Sequence, residues 1–136
     1  MEIRPITPDY AVSPQIAAED IPAIAAAGYT TILCNRPDAE VPPGQQADAI
    51  RRAAEAAGLG FVINPVTHQG LNDDMVAVQA ATIRDSEGPV LAYCASGTRS
   101  TIVWALGQAS QMSADSIIEA GAKAGYDLSG LRDRLT

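Results

Sequence analysis

Three short apolar runs, set apart by helical patterns, constrain the fold of this chain more than any other feature. Residues 29–35 (YTTILCN), 60–64 (GFVIN) and 89–94 (PVLAYC) are strand-length, apolar, and closed by polar or turn-forming residues. Between them the pattern turns helical. Residues 17–27 end at Gly28 and residues 45–57 end at Gly58, while Asn72 or Asp73 opens a helix through Ile83. After Cys94 the spacing predicts a helix over 99–111, another opened by Ser113 and ended by Gly125, and a short one over 128–135. Residues 2–6 and 10–12 read as edge strands. Strands alternating with helices predict an α/β fold with a mostly parallel central sheet flanked by helices on both faces. Ligands of such sheets bind beyond the carboxyl ends of the strands, where Cys94 falls.

At 136 residues, the chain is expected to form one domain over residues 1–136, with a core that needs no staples. Its formal net charge of -7 argues against gripping nucleic acid or an anionic membrane through bulk electrostatics. Any anionic substrate must be attracted locally. The amino-terminal MEIRPITPDY lacks the basic and apolar regions of a signal peptide, and no apolar run is long enough to span a bilayer, so a cytoplasmic protein is expected. Cys34 and Cys94 form no C-x-x-C pair and His68 is the single histidine, a composition that supports neither a disulfide framework nor a metal site. No organic cofactor is indicated.

The stretch YCASGTRS carries the chemistry. A strand, then Cys94-Ala95-Ser96-Gly97-Thr98-Arg99-Ser100, then a helix is a device for anions: successive backbone N–H groups form a concave nest, and the helix adds its positive end. Gly97 permits a backbone angle other residues avoid, Arg99 supplies a planar donor fork, and Ser100 is placed to donate to the Cys94 sulfur. That field lowers a thiol pKa from about 8.5 and makes the thiolate a nucleophile. Ala95, Ser96, Gly97 and Thr98 are read as the anion-binding loop through their amides. Trp104, Ile102, Val103 and Leu106 of the following helix read as core.

At these residues the sequence resembles the DUF442 family, the phosphatase-like domain of beta-lactamase hydrolase-like proteins, also labelled a sulfurtransferase family. The resemblance takes in YCASGTRSTIVWALG, the S-P-Q element at Ser13–Gln15, the N-R-P-D-x-E element from Asn35 to Glu40, NPVTHQGLNDD and the closing AGYDLSGL. It implies a cysteine-phosphatase-like, dual-specificity-phosphatase-like fold. Relatives often carry His before the Cys and Arg after it; here those positions hold Tyr93 and Ala95.

The strand holding Cys34 is expected beside the strand holding Cys94. Cys34 is then either a resolving thiol for oxidised Cys94 or a small buried core residue. Arg36, paired with a carboxylate such as Asp38, can stiffen the rim of the site or add a cation to it. His68, Asp73 and Asp74 are the candidate acids for protonating a leaving oxygen, though Asp73 and Asp74 also suit the first turn of a helix.

Four residues separate Cys94 from Arg99, one fewer than in cysteine-based phosphatases and similar to rhodaneses. The short ring and the unassigned acid favour a sulfurtransferase that carries sulfane sulfur as a Cys94 persulfide and passes it to an acceptor thiol or a redox protein. A phosphomonoester hydrolase working through a phosphocysteine is the alternative. A weakly catalytic module that binds an oxyanion or docks a redox partner is the third reading.

Overall fold

The computed structural model describes residues 2–67 and 70–136. Among them, five strands form one sheet in the order β1-β2-β5-β3-β4. They are β1 (Arg4–Thr7), β2 (Tyr10–Ser13), β3 (Thr31–Cys34), β4 (Gly60–Ile63) and β5 (Val90–Tyr93). The sheet is parallel except for β1, which turns back antiparallel on β2. The α/β expectation therefore holds, with one correction. Residues 10–12 are not an edge: β1 takes the outside, and all four residues of β2 are buried between β1 and β5.

Six helices flank the sheet among the described residues: α1 (Ile21–Ala26), α2 (Ala47–Ala56), α3 (Asp73–Asp85), α4 (Thr98–Gln108), α5 (Ala114–Lys123) and α6 (Arg132–Leu135). The helix expected over 17–27 is shorter because Pro22 allows only a 3-10 turn, Ala18–Asp20, before the first α-turn. Asn72 caps α3 by accepting from the Met75 N–H at 3.0 Å, and Ser113 caps α5 by accepting from Ser116 at 3.1 Å. No helix among the described residues is long and apolar enough to cross a membrane.

Alternation along β5 divides the core. Leu91 and Tyr93 face the layer of Ile21, Ile24, Ile32, Cys34 and Ile50, whereas Val90 and Ala92 face Val12, Leu33, Trp104 and Ile117. Each fully buried Ile or Leu contributes about 1.5–3 kcal/mol of apolar transfer. Trp104 and Val103 are buried as expected, with Trp104 stacked on Tyr10 at 6.1 Å between ring centroids; Ile102 and Leu106 are half-buried against the same layer. All four residues of central β5 are buried. Its end is in register with those of β2 and β3, Tyr93 lying opposite Ser13 and Cys34. The first residue beyond that aligned end is Cys94.

Candidate active site

Cys94 is fully buried at the start of the loop joining β5 to α4. The Gly97 N–H donates to its sulfur at 3.1 Å. Gly97 is the N-cap of α4 with φ of +93°, the left-handed angle the loop needs. Each loop carbonyl is drawn outward. That of Ala95 accepts from the Gln15 N–H at 3.3 Å, that of Ser96 from the Tyr126 hydroxyl at 2.9 Å, and that of Gly97 from the Thr101 N–H and hydroxyl at 3.0 and 2.8 Å. With these carbonyls engaged elsewhere, the Gly97 amide is turned to the sulfur, as a nest requires, while the Thr98 N–H donates to Ser96 Oγ at 3.4 Å. The S-P-Q element supplies part of this frame, because the Ser13 carbonyl also accepts from the Cys94 N–H at 3.4 Å.

Arg99, 5% exposed, sits in the first turn of α4. Its Nη1 donates to Glu40 Oε2 at 2.9 Å and to the Val66 carbonyl at 2.8 Å, and its Nη2 donates to Glu40 Oε1 at 2.8 Å. One edge of the guanidinium is thus clamped on Glu40 and Val66, and the Cys94 sulfur also lies within its reach. The Glu40 carboxylate, first of all, holds Arg99 charged, and the Cys94 sulfur adds to this. Reciprocally, the bond from Arg99 and then the one from Arg36 hold Glu40 below the usual carboxylate range.

Arg36 does stiffen the rim, but through Glu40. Its Nε donates to Glu40 Oε1 at 2.9 Å, its Nη2 to the Glu40 carbonyl at 3.2 Å and its Nη1 to Gln15 Oε1 at 3.4 Å. Asp38 is not its partner. The Asp38 carboxylate instead accepts from the Ala47 N–H at 2.8 Å and caps the start of α2.

Ser100 is also corrected. Its hydroxyl donates to Asn35 Oδ1 at 2.8 Å and not to the Cys94 sulfur, because a buried amide network beneath the loop claims it. Gln79, the one fully buried residue of α3, centres that network. Its Nε2 donates to the Tyr10 hydroxyl at 2.9 Å and to Asn35 Oδ1 at 3.0 Å, and its Oε1 accepts from Asn35 and Asn64 at 2.8 and 2.9 Å. The Tyr10 hydroxyl donates onward to the Ser100 carbonyl at 2.7 Å. Four elements and the first turn of α4 are held to one another through these amides.

Cys34 lies on β3 next to β5 as expected, yet it packs with Tyr93 in the layer of α1 and α2, and the pleat sends Cys94 the other way. Its thiol donates to the Arg36 carbonyl at 3.4 Å, both cysteines are free, and burial pushes the Cys34 thiol pKa up. Its burial among Ile32, Ile50 and Tyr93 fits the core reading of Cys34. Tyr93 points into that same layer, so it does not stand in for a polarising His. Ala95, Ser96 and Thr98 lie exposed on the loop. His68 lies outside the described residues. Asp73 and Asp74 are exposed in the first turn of α3.

Among the described residues no three His, Cys, Asp or Glu side chains gather to hold a metal ion. A cleft of about 80 Å³ lined by Val66, Thr67, Leu71, Arg99 and Ile102 adjoins the site. A larger hollow of about 520 Å³ lies at the other end of the sheet, beside Asp9, Gly88 and Trp104, and is lined by neither cysteine. Sequence reasoning missed Glu40, Gln79 and Tyr126. The traceable signals were the Arg36–Glu40 spacing and the asparagines closing both YTTILCN and GFVIN.

Comparison with known proteins matches residues 2–111 to the family described as beta-lactamase hydrolase-like protein, phosphatase-like domain. The beta-lactamase hydrolase-like protein of Xylella fastidiosa is 35% identical over 131 residues, covering 94% of this chain and 30% of its own length. This chain thus spans less than a third of the curated relatives it matches. A crystal structure of a candidate phosphatase from Neisseria meningitidis superposes with a TM-score of 0.86 at 36% identity, over 99% of this chain and 96% of that one. A candidate phosphatase of Shewanella putrefaciens, assigned to DUF442, shares the fold with a TM-score of 0.68 at 20% identity over 91% of each chain.

Proposed function

This chain belongs to the family of phosphatase-like domains of beta-lactamase hydrolase-like proteins, and on that footing we propose that it is a cysteine-thiolate transferase whose cargo is sulfane sulfur. The observation that carries the proposal is the short loop: four residues separate Cys94 from Arg99, and the Gly97 N–H rests on the Cys94 sulfur. In the first step the Cys94 thiolate attacks the outer sulfur of a persulfide or thiosulfate. A sulfur–sulfur bond forms at Cys94 as the donor's own sulfur–sulfur bond breaks, and the donor leaves as a thiolate or as sulfite. In the second step an acceptor thiolate attacks the outer sulfur of the Cys94 persulfide and regenerates the thiolate. No net oxidant or leaving-group acid is required. The amides and Arg99 stabilise the negative charge borne by the terminal sulfur.

Exposure to thiosulfate or glutathione persulfide, followed by mass spectrometry, tests this. One added sulfur atom on Cys94, discharged by a thiol and absent in Cys94→Ser, is the expected result. Phosphate release from aryl phosphates with no sulfur uptake overturns it.

Phosphomonoester hydrolysis through a phosphocysteine is the second reading. The phosphatase names of the relatives favour it over sulfur transfer, and the planar Arg99 fork is a donor type that also suits the oxygens of a phosphoryl group. Its signature is a burst of aryl alcohol equal to the enzyme concentration.

A further inference from the structure

Tyr126 follows α5 and lies 32 residues beyond Cys94 in sequence, yet its hydroxyl reaches the loop. It donates to the Ser96 carbonyl at 2.9 Å, and the N–H of the same peptide unit, that of Gly97, donates to the Cys94 sulfur at 3.1 Å. In a trans peptide the C=O and N–H point in opposite directions, so fixing one fixes the other. A flip of this unit rotates the φ of Gly97, and glycine accepts either sign of φ. The loop itself therefore does little to keep the N–H on the sulfur.

We infer that Tyr126 is a positioning residue for Cys94, holding the Ser96–Gly97 peptide in the orientation that solvates the thiolate. The tyrosine is itself seated. The Arg4 guanidinium lies 5.4 Å from its ring centroid, and Arg4 Nη1 donates to the Ala124 carbonyl at 3.1 Å. The fit is close enough that a Cβ added at Gly97 would come within 2.9 Å of Tyr126 Cζ and collide with the hydroxyl. The charged and titratable groups facing the phenol are Arg4 and Glu2 from the β1 side and Cys94 from the loop. Burial raises the phenol pKa, so the hydroxyl stays protonated and able to donate. Hydrogen bonding at the carbonyl also polarises the N–H at the other end of the unit.

The inference rests on Cys94 being the nucleophile proposed above, but not on which atom it carries. Its test is the ultraviolet absorbance of the thiolate against pH for the native protein, Tyr126→Phe and Tyr126→Leu, each read against its own Cys94→Ser counterpart. The Tyr126→Phe substitution, which keeps the ring, is expected to raise the Cys94 midpoint by about half to one pH unit, a roughly three- to tenfold loss of thiolate below the midpoint. Should only Tyr126→Leu shift the midpoint, the ring merely fills space and the inference is wrong. Arg4→Gln serves as the second variant if Tyr126→Phe proves too unstable to titrate: a smaller shift in the same direction supports the inference, and none overturns it. A native midpoint near the ordinary ~8.5 counts against the proposed reaction, whereas the difference between native and Tyr126→Phe still decides the role of Tyr126.

Discussion

Replacing Gln79 by Leu tests whether the buried amide network holds the site together. The side chain is fully buried and makes four hydrogen bonds, to Tyr10, to both ends of the Asn35 amide and to Asn64. Every partner keeps one bond after the change: Asn35 to the Asn64 carbonyl, Asn64 to the Met75 carbonyl, Tyr10 to the Ser100 carbonyl, and Asn35 Oδ1 from Ser100. No group is orphaned outright, so the loss is about 1 kcal/mol per bond, or roughly 2–3 kcal/mol after about 1–2 kcal/mol is offset by the added apolar carbons of leucine. For a chain of this length that lowers the melting temperature by roughly 6–10 °C. Circular-dichroism melts and urea titrations measure it. Because Ser100 and the first turn of α4 lean on the same amides, thiolate formation at Cys94 should also become harder at temperatures where the variant is fully folded. A fall of under ~3 °C, with Cys94 unchanged, would refute the reasoning by showing that the network is replaceable.

Three further outcomes are expected. Glu40→Gln releases the Arg99 clamp, and the sulfur uptake proposed for Cys94 should then slow by about tenfold, as for loss of one oriented charged contact. Since Glu40 is held below its ordinary pKa, its stabilising effect is present above the unfolded value and is lost as pH falls through the folded one; the urea midpoints of native and Glu40→Gln protein should therefore converge in acid and separate towards neutrality. Ser100→Ala removes a bond to Asn35 and not to the sulfur, so it should cost about 1 kcal/mol in a urea melt and leave the Cys94 titration nearly unmoved; a large rise in the Cys94 midpoint would contradict that geometry. Gly97→Ala combines an unfavourable positive φ with the collision at Tyr126, and a loss of about 1–3 kcal/mol together with sulfur uptake is expected; a native-like variant would show that the loop has another conformation.

The scaffold was legible because its signals are local. Runs such as YTTILCN and PVLAYC can hardly be other than buried strands, and Cys-x-x-Gly-x-Arg between a strand and a helix indicates a nest through backbone geometry alone. Partner choice was less legible, because it depends on which atoms the fold brings within reach. Spacing offers Ser100 to the sulfur six residues behind it, but Asn35, on a neighbouring strand end, competes for the hydroxyl and wins. Arg36 was matched to Asp38, yet the 3-10 turn Asp38–Glu40 carries Glu40 back towards both arginines and leaves Asp38 to cap α2. Gln79 looked like one polar residue on an Ala- and Val-rich helix, and only the meeting of two asparagines at the ends of β3 and β4 gives it a purpose. Tyr126 carried no local signal, since its partner is a backbone carbonyl thirty residues back.

The two sides of the site rest on supports of unequal permanence. Cys94 continues the central strand, flanked by β2 and β3 and buried along its whole length, the class of element whose amides exchange with solvent only on global unfolding. The carboxylate that clamps Arg99 belongs to a three-residue turn with no buried residue, an element that opens locally at far smaller free-energy cost. The sulfur is therefore expected to keep its place through many openings of the clamp. The site's memory lies in the sheet, and its responsiveness in the turn.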